Sequence, residues 1–263
     1  MPTPVVENRP MLRFASAFRP LALVLALAGC AHVPTEKERR KAEIHYELAL
    51  QAQQQGHVQD ALRELQVSLE NDPDYPEANN AIGILLHLAF ARHAEAMGHY
   101  ERALKVRPTF SEARTNLANV HLDQGRYDEA IKLYEQVLND MLYVTPYIAQ
   151  GNMGWAFYKK GDTQRAVGSL KAAVTTNPGF CMGYRNLGII FDETGKLDES
   201  CRNFSRYREN CPEAADAHMR EGVCLAKQGQ AEGARQAFST CEAKAKAGEQ
   251  ELRDDCRRLL EKL

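Results

Sequence analysis

The chain has none of the short motifs that gather catalytic groups. There is no Gly-x-Ser-x-Gly, no glycine-rich loop to cradle phosphates and no His-Glu-x-x-His. Its 8 histidines are scattered, and His93 and His99 bracket a helix start without forming a ligand pair. No Cys-x-x-Cys occurs, so the usual zinc and dithiol signatures are missing. Catalysis needs converging groups, so the sequence reads as a non-enzyme without metal, cofactor or small-molecule substrate. Tryptophan occurs once, at Trp155. Beyond residue 30 no apolar run reaches the ~20 residues that span a bilayer. Positive charge is not in excess either. Removing residues 1–29 takes away three arginines and one glutamate, lowering the net charge from -2 to -4, which argues against nucleic acid as a partner.

What is present begins at the N-terminus. Arg9, Arg13 and Arg19 precede a short apolar run from Leu21 to Ala28, which ends in Leu27-Ala28-Gly29-Cys30. A basic start, a short apolar core and small residues before a cleavage point are the parts of an export signal. Cysteine directly after Leu-Ala-Gly resembles the lipobox of bacterial lipoproteins. That resemblance implies cleavage before Cys30, diacylglycerol on its thiol and acylation of the new amino group. Residue 31 is alanine rather than the aspartate associated with inner-membrane retention, so the implied location is the periplasmic face of the outer membrane. A start at Met11 would leave a compact signal, Met11 to Gly29. Thr35 followed by Glu38 reads as a capping box, leaving Ala31 to Pro34 as a tether of about 15 Å. The basic cluster Lys37, Arg39, Arg40 and Lys41 follows; it could touch lipid head groups, but Glu36 and Glu38 dilute it, which favours a solvated helix face.

The rest of the chain repeats itself. Gly125, Gly161, Gly195 and Gly229 recur every 34 to 36 residues, with Gly56 ahead of them. Seven positions before each lies a small residue: Ala49, Ala118, Gly154, Gly188 or Gly222. Five after lies another: Ala61, Ala130, Ala166, Ser200 or Ala234. Four further on comes a larger one: Leu65, Tyr134, Leu170, Phe204 or Phe238. This is the pattern of a helical hairpin. Small residues admit close approach of two helices, glycine takes the turn, and prolines such as Pro73, Pro108, Pro178 and Pro212 stop the second helix. The large residue is expected to fill the contact with the next hairpin. The second unit carries Ala91 in place of the turn glycine; the third runs two residues long through Met141 to Pro146; the sixth has Glu221 at an apolar position.

A ~34-residue period with these marks resembles the tetratricopeptide repeat. The expected fold is all-α: a right-handed superhelical solenoid of about six hairpins, at 42–75, 76–110, 111–146, 147–180, 181–214 and 215–248, with a capping helix over 249–263. In that family the first helices line a concave groove. Position nine of each would face it, giving Leu50, Ile84, Asn119, Trp155, Ile189 and Val223. Position twelve adds Gln53, His87, Leu122, Tyr158, Asp192 and Ala226. Trp155 and Tyr158 would then stand side by side in mid-groove, to bind a peptide or amphipathic helix or merely to pack between hairpins. Six cysteines lie in the last third, an even number in an exported chain, which points to disulfides. Fifteen connectivities are possible. Repeat positions make Cys181 level with Cys211, Cys201 near Cys224, and Cys241 opposite Cys256.

Lipobox, short tether and about six repeats together resemble the type IV pilus pilotins of the PilF/PilW kind. The resemblance implies a protein partner, the secretin of the type IV pilus, whose subunits such a protein binds and helps to assemble and insert. The other reading is a periplasmic adaptor that holds cell-wall enzymes or other envelope machinery.

Overall fold

The computed structural model describes residues 33–263; the signal, Cys30 and the start of the tether lie outside the described residues. The described chain is built of helices paired in order. Helix α1 (Glu36–Gln54) pairs with α2 (Val58–Asn71), α3 (Pro76–Leu88) with α4 (His93–Val106), and α5 (Ser111–Asp123) with α6 (Tyr127–Leu138). Then α7 (Pro146–Lys159) pairs with α8 (Thr163–Thr176), α9 (Cys181–Glu193) with α10 (Leu197–Asn210), and α11 (Ala215–Lys227) with α12 (Ala231–Lys244). Helix α13 (Gln250–Glu261) covers the end of the stack. No strand occurs among the described residues.

Local chemistry sets the ends of these helices. The Glu38 amide donates to Thr35 Oγ1 at 3.3 Å and the Thr35 amide donates to Glu38 Oε2 at 2.7 Å, a reciprocal cap that starts α1 six residues ahead of the expected repeat boundary. Five hairpin turns place glycine at positive φ. The remaining turn forces Ala91 to φ 52°, a conformation in which a Cβ crowds the following carbonyl. Pro146 opens α7 rather than closing the unit before it, because proline lacks only an amide proton that the first helical position does not use.

In hairpins four, five and six the two helices approach so closely that a Cβ has no room at the small position. A Cβ added to Gly188 would lie 2.4 Å from Phe204; at Gly222 it would meet Phe238 at 2.7 Å, and at Gly154 Leu170 at 2.8 Å. The large residue of the second helix therefore fills the gap left by the small residue of its own hairpin, a correction to the expectation that it serves chiefly the next one. It still reaches onward: Tyr134 clusters with Ala149 of the following hairpin. Ala61, Ala130, Ala166, Ser200 and Ala234 are fully buried on the opposing helix. Glu221, out of place by its repeat position, is neutralised by Arg208, whose guanidinium donates to both carboxylate oxygens at 2.8 and 3.1 Å.

Successive first helices touch one another (α3 with α5, α5 with α7, α7 with α9), while successive second helices make no comparable contact. The stack therefore curves with its first helices on the inner side. Helix α13 packs Leu252 and Cys256 beside Ala215, Cys241 and Ala245 and turns its charged face outward, which suits the end of a solenoid.

Candidate functional site

The inner face is held by polar rungs between neighbouring first helices. Asn116 Nδ2 donates to Asn80 Oδ1 at 3.0 Å, and Asn152 Nδ2 to Asn119 Oδ1 at 2.9 Å. Lys227 Nζ donates to Asp192 Oδ1 at 2.7 Å, and Arg185 Nε to Asp216 Oδ2 at 3.0 Å. Burial opposes ionisation of Asp216, but hydrogen bonds from Tyr207 and Arg185 and the charges of Arg185 and Arg220 outweigh it and hold its pKa below the usual carboxylate value.

Between the rungs lie the position-nine residues. Leu50, Ile84, Asn119, Trp155, Ile189 and Val223 are all half-buried: their stems pack, and part of each faces the inner side. Asn119 has little left to offer, since its Oδ1 also accepts from the Tyr134 hydroxyl at 2.6 Å. At position twelve His87 drops out of the surface altogether. Its side chain is buried against Asp123, with Nε2 to Oδ2 at 2.7 Å.

Trp155 and Tyr158 stand together, ring centroids 5.0 Å apart and planes tilted by 37°, one helical turn apart on α7. The Lys159 ammonium lies 5.9 Å from the Trp155 ring centre. The Tyr158 hydroxyl donates to the Glu193 carboxylate of the next hairpin. Desolvation, and then this bond to a charged acceptor, push the Tyr158 pKa up to about 12. Further along, Ile189 and Val223 border a hollow of about 180 Å³ with Met219, Arg220 and Lys227. Met219 is the contribution the repeat positions did not single out; it sits four residues before Val223, on the same helical face. The inner side thus offers half-exposed apolar and aromatic side chains spaced by charged groups, which suits an extended or helical segment with one apolar face.

Cysteines brace the C-terminal part of this surface, and Cys224 itself lines the hollow beside Ile189 and Val223. Cys181 and Cys211 are bonded across hairpin five, with Cα atoms 5.9 Å apart; Cys201 and Cys224 join α10 to α11 at 5.4 Å; Cys241 and Cys256 join α12 to α13 at 6.1 Å. Among the described residues no group of three or more His, Cys, Asp or Glu is arranged to hold a metal ion.

Sequence profiles described as tetratricopeptide repeat match residues 46–103 and 186–248, 87–141, and 152–179. The chain belongs to the tetratricopeptide-repeat family. Among curated relatives it is similar to the Photosystem I assembly protein Ycf3 of Synechococcus elongatus, at 31% identity over 116 residues, or 40% of this chain. The match spans 65% of that relative's length. Among solved structures it is similar to PilW, described as a widely conserved type IV pilus biogenesis factor, with a TM-score of 0.69 and 22% identity over 77% of this chain and 92% of that one. Pseudomonas aeruginosa pilF superposes with a TM-score of 0.68 and 15% identity over 84% of this chain and 100% of that one. At these identities the two structures share a fold with this tetratricopeptide-repeat protein.

Proposed function

We propose that this protein is an outer-membrane pilotin: a chain anchored by lipid on Cys30 at the periplasmic face, whose inner groove binds secretin subunits and promotes their assembly and insertion for type IV pilus biogenesis. Within the pilotins, we infer one of the kind of Tgl of gliding bacteria, from the lipobox, short tether and about six repeats taken together. The observation that carries the reading is the run of half-buried apolar residues centred on Trp155 and Tyr158, on a fold shared with PilW, described as a type IV pilus biogenesis factor, and with pilF. The mechanism is physical. The groove shields an apolar segment of an unassembled subunit from water, the anchor brings the pair to the membrane, and assembly of the pore displaces the groove. No bond is made or broken.

The test is deletion of the gene. Loss of heat-resistant secretin multimers and of surface pili, restored by the wild-type gene, is the expected result. Intact multimers with altered cell-wall enzyme activity would overturn it in favour of the second reading, a periplasmic adaptor scaffold for cell-wall enzymes or other envelope machinery. The likeness to a relative named as an assembly protein of an unrelated complex favours that reading.

A further inference from the structure

The connection between α6 and α7 carries the residues added to the third repeat, and it displays the most exposed large apolar side chains among the described residues. Met141 is 97% exposed, Leu142 88% and Val144 80%. The segment is tied down. Asp140 accepts hydrogen bonds from the Ser111 hydroxyl at 2.6 Å and from the Leu142 amide at 3.0 Å. Tyr143 points inward and is buried, its hydroxyl 3.3 Å from Thr115 Oγ1. Three apolar side chains are thus held outward on a fixed turn. Isolated exposed apolar residues are ordinary, but a cluster of this kind marks a contact surface.

The position of this turn suggests what it contacts. Antiparallel pairing puts every connection between hairpins at the edge where the first helices begin. Arg107 with Glu77 at 2.6 Å, Ser111 with Asp140, Cys181 with Cys211, and Lys244 with Glu213 at 2.8 Å all join helix starts to helix ends along that edge. The rungs at Asn80–Asn116 and His87–Asp123 tie first helices at matching heights, so the edge continues from one hairpin to the next. Helix α1 begins there as well. Its first turns carry Lys37, Arg39, Arg40 and Lys41, all exposed and none engaged in an ion pair with another described residue. Thr35 caps that helix only five residues after Cys30.

We propose that this edge faces lipid, with Met141, Leu142 and Val144 entering the bilayer interface and the basic cluster of α1 meeting anionic head groups. The proposal rests on the reading of Cys30 as lipid-anchored. Three side chains on a turn offer too little area for a stable protein interface, which buries roughly 1,200–2,000 Å². They suffice as a second contact for a chain already held at the surface, because tethering makes the step intramolecular. Cations near the anchor in sequence, with no ion-pair partner among the described residues, favour an anionic surface. With two contacts instead of one, the solenoid no longer swivels on its tether, and the groove faces a set direction.

Acyl chains dominate membrane affinity, so the readout must be depth rather than binding. The lipidated full-length protein, as Leu142→Trp in a Trp155→Phe background, is reconstituted on phosphatidylethanolamine–phosphatidylglycerol vesicles with brominated acyl chains. Gln124→Trp, at an exposed hairpin turn on the opposite edge, is the control. The indole placed at position 142 is expected to lose most of its emission to the brominated lipid, while the one at 124 keeps it. Val144→Trp repeats the measurement should the first variant fold poorly. A floating protein with both indoles unquenched, or with both quenched alike, would reject the lipid-facing edge and leave the anchor standing. A wild-type protein that does not float with vesicles would reject the anchor and this proposal with it. Shielding at 142 that requires a protein partner and no lipid would reassign the turn to a protein interface.

Discussion

Gly188 offers the sharpest test of the hairpin geometry. A Cβ there would lie 2.4, 2.5 and 2.9 Å from three ring carbons of Phe204. The ring cannot swing aside cheaply: it is 4% exposed, packed with Cys201, Cys224 and Ile189, and covered by the Arg220 guanidinium 5.5 Å from its centre. Gly188→Ala gains about 1 kcal/mol of helix propensity but overpacks the site at a cost of about 1–3 kcal/mol. The expected net is a loss of about 1 kcal/mol, or ~2–4 °C in Tm for a chain of this size. Gly168→Ala is the matched control. Gly168 is exposed within α8, and a Cβ there meets nothing within 4 Å. It gains the same propensity with no clash, so it should raise stability by about 1 kcal/mol. Urea unfolding followed by circular dichroism, with the disulfides intact, gives both values. Equal stability of the two variants would refute the pairing of α9 with α10 at this register.

Ala91→Gly relieves a left-handed penalty of about 1–2 kcal/mol, partly offset by added freedom in the unfolded chain, so unfolding should show a gain of about 0.5–1 kcal/mol; a loss would mean that Ala91 does not sit at positive φ. Trp155→Ala should weaken capture of a secretin segment by roughly tenfold or more, as removal of a hot spot does, while the melting temperature stays nearly unchanged; a large fall in melting temperature would make Trp155 a packing residue. Cys30→Ala should leave a folded protein in the soluble periplasmic fraction, and finding it still in membranes would contradict anchoring. For Tyr158 the raised pKa means that the neutral phenol favours the fold: this contribution is complete below about pH 10, the unfolded value, and is lost as pH rises towards about 12. Ultraviolet titration of wild type against Tyr158→Phe should therefore show one phenol ionising late, and an ordinary midpoint would break the link to Glu193.

The repeat was legible because its marks are local and recur: a turn glycine, small residues seven before and five after it, and a large residue nine after. Those positions are set by close approach of backbones, so they are buried wherever they occur, as at Ala49, Ala61 and Leu65. Of the cysteine pairs only Cys181 with Cys211 is level within one hairpin; Cys201–Cys224 and Cys241–Cys256 join neighbouring helices of successive units, where the period alone left fifteen connectivities open. Features that depend on partners far along the chain were not legible. Nothing local marks Glu221 as the partner of Arg208, thirteen residues away, or His87 as buried against Asp123 rather than open to the groove. The added residues at Met141 to Val144 read only as an irregularity, because a period reports what repeats and is silent about what an insertion displays.

The cysteine pattern sets an order of events during maturation. Cys201 lies in the chain between Cys181 and Cys211, and Cys211 lies between Cys201 and Cys224. A strand oxidised as it emerges, each thiol taking the next to arrive, would join 181 to 201 and 211 to 224. The native links interleave instead. Either the fifth coil pair must settle before an oxidant reaches it, or a thiol exchange must later undo the first choice. Production in a host without a disulfide-shuffling enzyme should therefore yield scrambled forms linked in sequence order, all of them sharing the correct 241–256 bond.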